Sequence, residues 1–202
     1  MKKKIFSVRK LTLMAILSAI SAIVMLFEIP LWFAPSFYEL DFSEVFILIG
    51  GFSMGPIAAV IIEFMKILIN TLFTSTTTGY VGEFANFVIG CSFVVPASII
   101  YKFNKSKKGA IIGLLFGVFV LGIIGTVINY FVLLPMYAEL YKMPIEDFVS
   151  MGNEKNGNIN SLFTLVMFAT LPFNLLKGAV DSAIVFILYK KISPILHKEL
   201  DK

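Results

Sequence analysis

The sequence predicts an all-α membrane protein of six transmembrane helices, with both termini in the cytoplasm. Three observations predict it. The 202 residues are 58% hydrophobic and 15% charged, with a mean hydropathy of +0.89, whereas a soluble domain carries about a quarter charged residues. The apolar residues gather into runs, and a span takes about 20 of them, so this length holds roughly six with short loops. Basic residues concentrate in alternate connectors, the signature of the cytoplasmic side. Composition also excludes. A lone Cys91 forms no intrachain disulfide, and His197 builds no His-based metal or proton-relay site, so Cys/His metal centres and Ser-His-Asp catalysis drop out. The net charge of +4 concerns placement along the membrane rather than nucleic-acid affinity.

The first run, residues 11–27, follows Lys2, Lys3, Lys4, Arg9 and Lys10. A basic start and small residues at 18–22 are superficially those of a secretory signal, but the run stays apolar through Val24, Met25 and Leu26, so it reads as span one. A polar, aromatic connector with Pro30 and Pro35 covers 28–43. Span two, 44–54, closes on the turn signal Gly55-Pro56 and is short for a crossing. Span three, 57–73, is broken by a Thr/Ser/Gly segment at 74–79. Span four covers 80–101, and span five covers 109–134 with Pro135 as its stop. A polar connector, 136–160, precedes span six at 161–190. Lys102, Lys105, Lys107 and Lys108 lie between spans four and five, and Lys190, Lys191, Lys198 and Lys202 follow span six. Glu28, Glu39, Asp41, Glu44, Glu83, Glu139, Glu146, Asp147 and Glu154 mark the opposite side, against only Lys142 and Lys155. Five or seven spans would break this alternation. Without an internal repeat or a soluble stretch, 1–202 reads as a single integral membrane domain.

Ionisable groups inside spans are expensive and mark candidate sites. Span six carries Asn174, Lys177 and Asp181 along one helix face. Two readings stand. Lys177 and Asp181 form a structural ion pair, or Asn174 and Lys177 point into a cavity while Asp181 holds the lysine. Pro172 supports the second by freeing a backbone carbonyl one turn earlier. Asn129, near the outer end of span five, offers donor and acceptor in one plane and suits a heterocyclic edge; an interhelical hydrogen bond also explains it. Glu83 and Asn86 open span four after Thr76-Thr77-Thr78-Gly79, where a carboxylate also complements the helix dipole. Glu63 and Lys66 are spaced to pair across one turn and read as structural. Ala15, Ser18, Ala19 and Ala22 give span one a flat strip that another helix can approach, within the bundle or from a partner subunit. Trp32, Phe37 and Tyr38 crowd an outer connector, either as an aromatic belt or as a cap over a planar ligand.

Taken together, Pro35-Ser36-Phe37-Tyr38 with Asp41-Phe42-Ser43, residues 48–52 closing on Gly55-Pro56, residues 76–87, the Asn129 motif and residues 171–178 carry a family likeness. The chain resembles the substrate-binding S components of energy-coupling factor (ECF) vitamin transporters, most closely the riboflavin-specific ones, from about residue 10 to 194. The resemblance implies a six-helix receptor in the bacterial plasma membrane with no ATPase and no cofactor of its own. Riboflavin would be bound from outside as the transported substrate. A transmembrane coupling subunit and two ATP-binding-cassette ATPases would supply the energy. It further implies that Asn129, Asn174 and Lys177 contact the ring edge, with Lys177 donating to a ring carbonyl, and that Thr78, Gly79, Glu83 and Leu40 close over ring or ribityl chain. The residues agree with this. The chain lacks a Walker-type Gly-rich loop followed by Lys-Ser/Thr, so an energised role needs partners. Two amides and an ammonium suit an edge of alternating donors and acceptors. The alternatives are an S component for folate or pantothenate, and an intramembrane enzyme built on Lys177, Asp181 or Glu63. The enzyme lacks a nucleophile–base–orienter set.

Overall fold

Within lipid a chain must satisfy its own backbone polar groups, so the apolar runs become helices. The computed structural model describes residues 7–74, 76 and 78–200, with side chains to residue 188. Lys2, Lys3, Lys4, Thr77 and Lys202, and the side chains of Lys190, Lys191, His197 and Lys198, lie outside the described residues. Helix α1 (Val8–Met25) starts at Ser7, whose hydroxyl accepts from the Lys10 N–H at 3.4 Å. In the connector, β1 (Ile29–Pro30) pairs antiparallel with β2 (Glu39–Leu40), Ile29 opposite Leu40. Helix α2 (Glu44–Met54) ends at Gly55, whose φ of 98° suits glycine alone, and Pro56 opens α3 (Pro56–Thr74). Helix α4 spans Val81–Phe103.

The fifth run does not stop at Pro135. Helix α5 (Lys107–Ile128) passes through a π-helical segment, π1 (Asn129–Leu133), into α6 (Leu134–Tyr141). The last long helix repeats the device: α8 (Leu162–Leu165) leads through π2 (Val166–Thr170) into α9 (Leu171–Leu200). Each π segment is followed by Leu-Pro, at Leu134-Pro135 and Leu171-Pro172. A proline lacks an N–H and crowds the carbonyl four residues back. That carbonyl lies inside the wider π turn in both cases, so the helix continues. The expected connector 136–160 is also largely helical, holding the end of α6 and all of α7 (Ile145–Lys155).

Among the described residues five helices are long and apolar enough to cross a membrane: Val8–Met25, Pro56–Thr74, Val81–Phe103, Lys107–Tyr141 and Leu162–Leu188. The sixth expected span is α2, with 11 residues. At about 1.5 Å per residue it covers roughly half of a hydrocarbon core about 30 Å thick. Val45, Ile47, Leu48, Ile49 and Phe52 are all buried, making α2 a central plug against Ile62, Phe93 and Val94. Helices α4 and α5 touch backbone to backbone. A Cβ on Gly113 or Gly117 would lie 2.7 Å from the carbonyl oxygen of Ala97 or Phe93. Outward faces carry Leu72, Phe103, Leu115 and Phe119, while Glu63, Lys66 and Asp181 turn inward.

The small-residue strip of α1 is split. Ser18 and Ala22 are buried, and the Ser18 hydroxyl donates to the Met14 carbonyl at 2.8 Å. They pack the bundle and are unavailable to a partner subunit. Ala15 and Ala19 face outward.

Candidate functional site

A cavity of about 460 Å³ opens between the β1–β2 connector and the helix ends around it. Of the residues singled out from sequence, Phe37, Thr78, Glu83, Asn86, Asn129, Asn174 and Lys177 line it. Leu40 and Gly79 do not. Leu40 is buried with Leu134, Phe148 and Phe173 in the core behind the cavity, because its apolar side chain is worth more there. Gly79, at φ 56°, makes the turn into α4 and presents its neighbour Thr78 instead. The Thr78 hydroxyl accepts from the Gly82 N–H at 3.0 Å and donates to Glu83 Oε2 at 2.8 Å, tying the turn to the first helical residues.

The inner wall is set by π1 and α9. Asn129 Nδ2 donates to the Gly125 carbonyl at 2.8 Å, and its Oδ1 accepts from the Tyr38 hydroxyl at 3.0 Å. That hydroxyl also lies 2.6 Å from Thr170 Oγ1. Asn174 is buried, and its Nδ2 has no hydrogen-bond partner among the described residues. Room for this amide comes from Gly125, where a Cβ would collide with it. The Tyr38 ring stacks on Phe173, with centroids 5.2 Å apart and planes at 29°, and also packs on Phe37.

Lys177 is held by Asp41 of the connector, to whose Oδ2 it donates, and not by Asp181. Helical side chains lean toward the helix N-terminus, so Lys177 reaches toward the connector, away from Asp181 one turn further along α9. Asp181 is fully buried, and neither carboxyl oxygen has a hydrogen bond among the described residues. Asp41 also accepts from the Ser43 N–H at 2.8 Å. Burial alone would raise its pKa. The Lys177 and Lys66 ammonium groups and the two hydrogen bonds outweigh that and hold the carboxyl well below the usual range. Glu28, at the cavity rim, goes the other way. Burial, a hydrogen bond to Glu39 and repulsion from Glu39 and Asp41 push it up to about 7, against the pull of Lys177.

The Glu63–Lys66 pair expected from spacing has a third member. Lys66 Nζ sits 2.8 Å from both Glu44 Oε1 and Glu63 Oε1, and 3.3 Å from Ser43 Oγ. All three side chains are buried, so the cluster locks α2 to α3. Glu44 also lines the cavity, with Oε2 unpartnered among the described residues. Tyr38 was legible as a belt aromatic or a ligand cap, but its hydrogen bonds to Asn129 and Thr170 were not. Asp41 was legible as part of the family likeness and of the acidic face, and Glu44 as an acidic residue opening span two, but neither was assigned to the site, because their partners come from other segments. Among the described residues no three His, Cys, Asp or Glu are grouped to hold a metal ion. The arrangement suits a planar, partly apolar ligand. Aromatic faces flank it and fixed N–H donors meet one edge, in a volume within the roughly 300–1,000 Å³ of ligand pockets.

Comparisons with known proteins place the chain in a family. Residues 9–189 match the family of ECF transporter substrate-specific components. The chain is similar to the riboflavin transporter RibU of Staphylococcus aureus (strain TCH60), at 34% identity over 190 residues, covering 94% of this chain and 93% of that protein. It is similar to the riboflavin transporter FmnP of Bacillus subtilis (strain 168), at 29% identity over 95% of this chain and 96% of that one. A solved S component of a bacterial ECF transporter superposes with a TM-score of 0.74 at 34% identity, covering 93% of this chain and 97% of the other.

Proposed function

We propose, from the premise that this chain belongs to the family of substrate-specific components of ECF transporters, that it is the subunit that captures riboflavin. Its relatives RibU and FmnP are riboflavin transporters. It is a multi-pass protein of the bacterial plasma membrane and not an enzyme; ATP hydrolysis belongs to the ATPases of the transporter. The observation that carries the flavin reading is the convergence of Asn129, Asn174 and Lys177 on one cavity, beside the Tyr38–Phe173 stack. Riboflavin has a flat tricyclic ring, an edge bearing carbonyl and ring-nitrogen acceptors, and a hydroxylated tail. Asn174 Nδ2, the Lys177 ammonium and an N–H of Asn129 meet the edge. Phe37 covers the ring, while Thr78, Glu83 and Asn86 receive the hydroxylated tail.

The chain acts as one membrane domain, with α2 counted as a short sixth helix and both termini cytoplasmic. Handover to the coupling subunit, and through it to two ATP-binding-cassette ATPases, uses the outward Ala15 and Ala19, where a partner helix meets no bulky side chain. Riboflavin serves as cargo and no cofactor is needed. The test is a titration of the purified chain with riboflavin, folate and pantothenate, followed by flavin fluorescence and calorimetry. Saturable one-site binding of riboflavin alone is expected. A folded protein that binds either of the others in its place refutes the reading.

A further inference from the structure

An asparagine amide can turn either its oxygen or its nitrogen toward a ligand, and the two ends select opposite partners. At Asn129 the surroundings leave one orientation. The Gly125 carbonyl, 2.8 Å from the amide, only accepts, so the NH2 end must lie there. Oδ1 must then face Tyr38, whose hydroxyl is 3.0 Å away and has to donate. That commits the only proton of Tyr38. Thr170 Oγ1, 2.6 Å from the same hydroxyl, is therefore the donor to Tyr38. The chain of donors runs from Thr170 to Tyr38 to Asn129 to the Gly125 carbonyl, leaving one amide N–H of Asn129 uncommitted at the cavity wall.

The fold is arranged around this chain. Asn129 opens π1 and Thr170 closes π2, and π turns inside helices recur at functional sites. Tyr38 arrives from the outer connector, clamped by its stack on Phe173. Asn129, Tyr38 and Thr170 are 5%, 8% and 0% exposed, so each hydrogen bond is shielded from water. Burial also raises the Tyr38 pKa, keeping the hydroxyl a donor.

We propose that Tyr38, oriented by Thr170, is a positioning residue for ligand specificity. It holds the Asn129 amide so that an N–H meets an acceptor atom on the flavin edge. Together with Asn174 and Lys177 this makes the inner wall a donor surface, which selects a ring edge rich in acceptors over one rich in N–H groups. The inference rests on the cavity being the flavin site.

The test uses the purified full chain and riboflavin, with dissociation constants from fluorescence quenching. Tyr38→Phe keeps the ring and its stack but removes the hydroxyl. It is expected to weaken binding by about tenfold, the worth of one buried hydrogen bond. Thr170 separates positioning from packing. Thr170→Ser keeps the donor and should bind like the parent, whereas Thr170→Val keeps the shape and should lose about as much as Tyr38→Phe. The reverse order, with Val parent-like and Ser weakened, would mean that Thr170 only fills space and would overturn the proposal. So would unchanged binding by a folded Tyr38→Phe. The Thr170 pair keeps the test decisive even if Tyr38→Phe fails to fold. A parent protein that does not bind riboflavin would instead refute the flavin reading itself.

Discussion

Replacing Lys177 by Met should damage stability and binding together, and a second substitution should separate the two. The Lys177 and Asp41 side chains are 16% and 8% exposed and bonded to each other. Without the ammonium, Asp41 keeps only the Ser43 N–H and the more distant Lys66 charge while remaining nearly buried. Stranding one member of a buried pair costs about 3–5 kcal/mol. The lower end, about 3 kcal/mol, applies here because Lys177 borders an open cavity. Changing both residues, Asp41→Asn with Lys177→Met, removes the stranded charge and should recover all but about 1 kcal/mol. Riboflavin binding should not recover, because the charge-assisted bond to the ring is gone in both variants. That bond is worth about 1.5–3 kcal/mol, or roughly ten- to hundredfold in dissociation constant. Unfolding of the ligand-free protein in detergent reads the first quantity, and fluorescence titration reads the second. At pH 7 the pair contributes in full. The folded pKa of Asp41 lies below its unfolded value, so this stability is present above the ordinary aspartate range and is lost only as pH falls through the folded value. A double variant as unstable as Lys177→Met, or one that regains riboflavin affinity, would refute the reasoning.

Gly90 faces the buried cluster of Glu44, Glu63 and Lys66, and a Cβ there would lie 2.5 Å from Glu63 Oε1. Gly90→Ala should lower stability by about 1–3 kcal/mol, measured by thermal unfolding; an unchanged midpoint would show that the cluster yields freely. Glu28, raised from 4.5 to about 7 on folding, holds a proton that the unfolded chain has released. Its contribution is full below pH 4.5 and fades as pH rises through 7, so Glu28→Gln should flatten the fall in melting temperature between pH 5 and about 8. Ala15→Trp should abolish co-purification with the coupling subunit and leave riboflavin binding intact; parallel loss of both would place Ala15 inside the bundle. In a Cys91→Ser background, Lys105→Cys should label only from the cytoplasm and Glu154→Cys only from outside, and the opposite pattern would break the topology.

The helices were legible because lipid makes apolar length and charge placement nearly sufficient. What escaped was set by interactions between distant segments. Pro135 reads as a stop under local rules, and nothing near it announces that a π turn upstream absorbs the clash. Leu-Pro inside an otherwise continuous apolar run, repeated in both composite helices, is the signal that was available. At the site, Asn129, Asn174 and Lys177 stood out because polar groups inside spans need a reason. The identity of the partner of Lys177 did not. Asp181 lies four residues away in sequence, but side-chain direction favours Asp41, brought near by β1–β2 pairing that places Glu28 next to the same carboxylate. The strip at Ala15, Ser18, Ala19 and Ala22 looked uniform because small residues carry no mark of which side of a helix is covered.

The charged and polar interior divides by what the protein leaves unsatisfied. Lys66 has Glu44, Glu63 and Ser43 within 3.3 Å, so its three N–H donors go to tying two helices and none is left for a ligand. Lys177 has three N–H donors and one carboxylate, so two donors remain for a second acceptor. Asn174 Nδ2 and Glu44 Oε2 have no protein partner among the described residues although both are buried. An unmet buried polar group costs about 1–3 kcal/mol, so a ligand that supplies acceptors to the first and a donor to the second recovers part of that cost on binding. The same ligand must also be flat enough to lie against Tyr38 and Phe173. A flavin edge meets these demands together, with carbonyl oxygens for Lys177 and Asn174 and a ring N–H between them to donate. Folate and pantothenate lack that combination of a rigid acceptor–donor–acceptor edge on a fused tricyclic ring. On the proposed reading, selectivity follows from the positions of the unmet atoms, and it survives only while Tyr38 and Asp41 of the β1–β2 connector hold Asn129 and Lys177 in place.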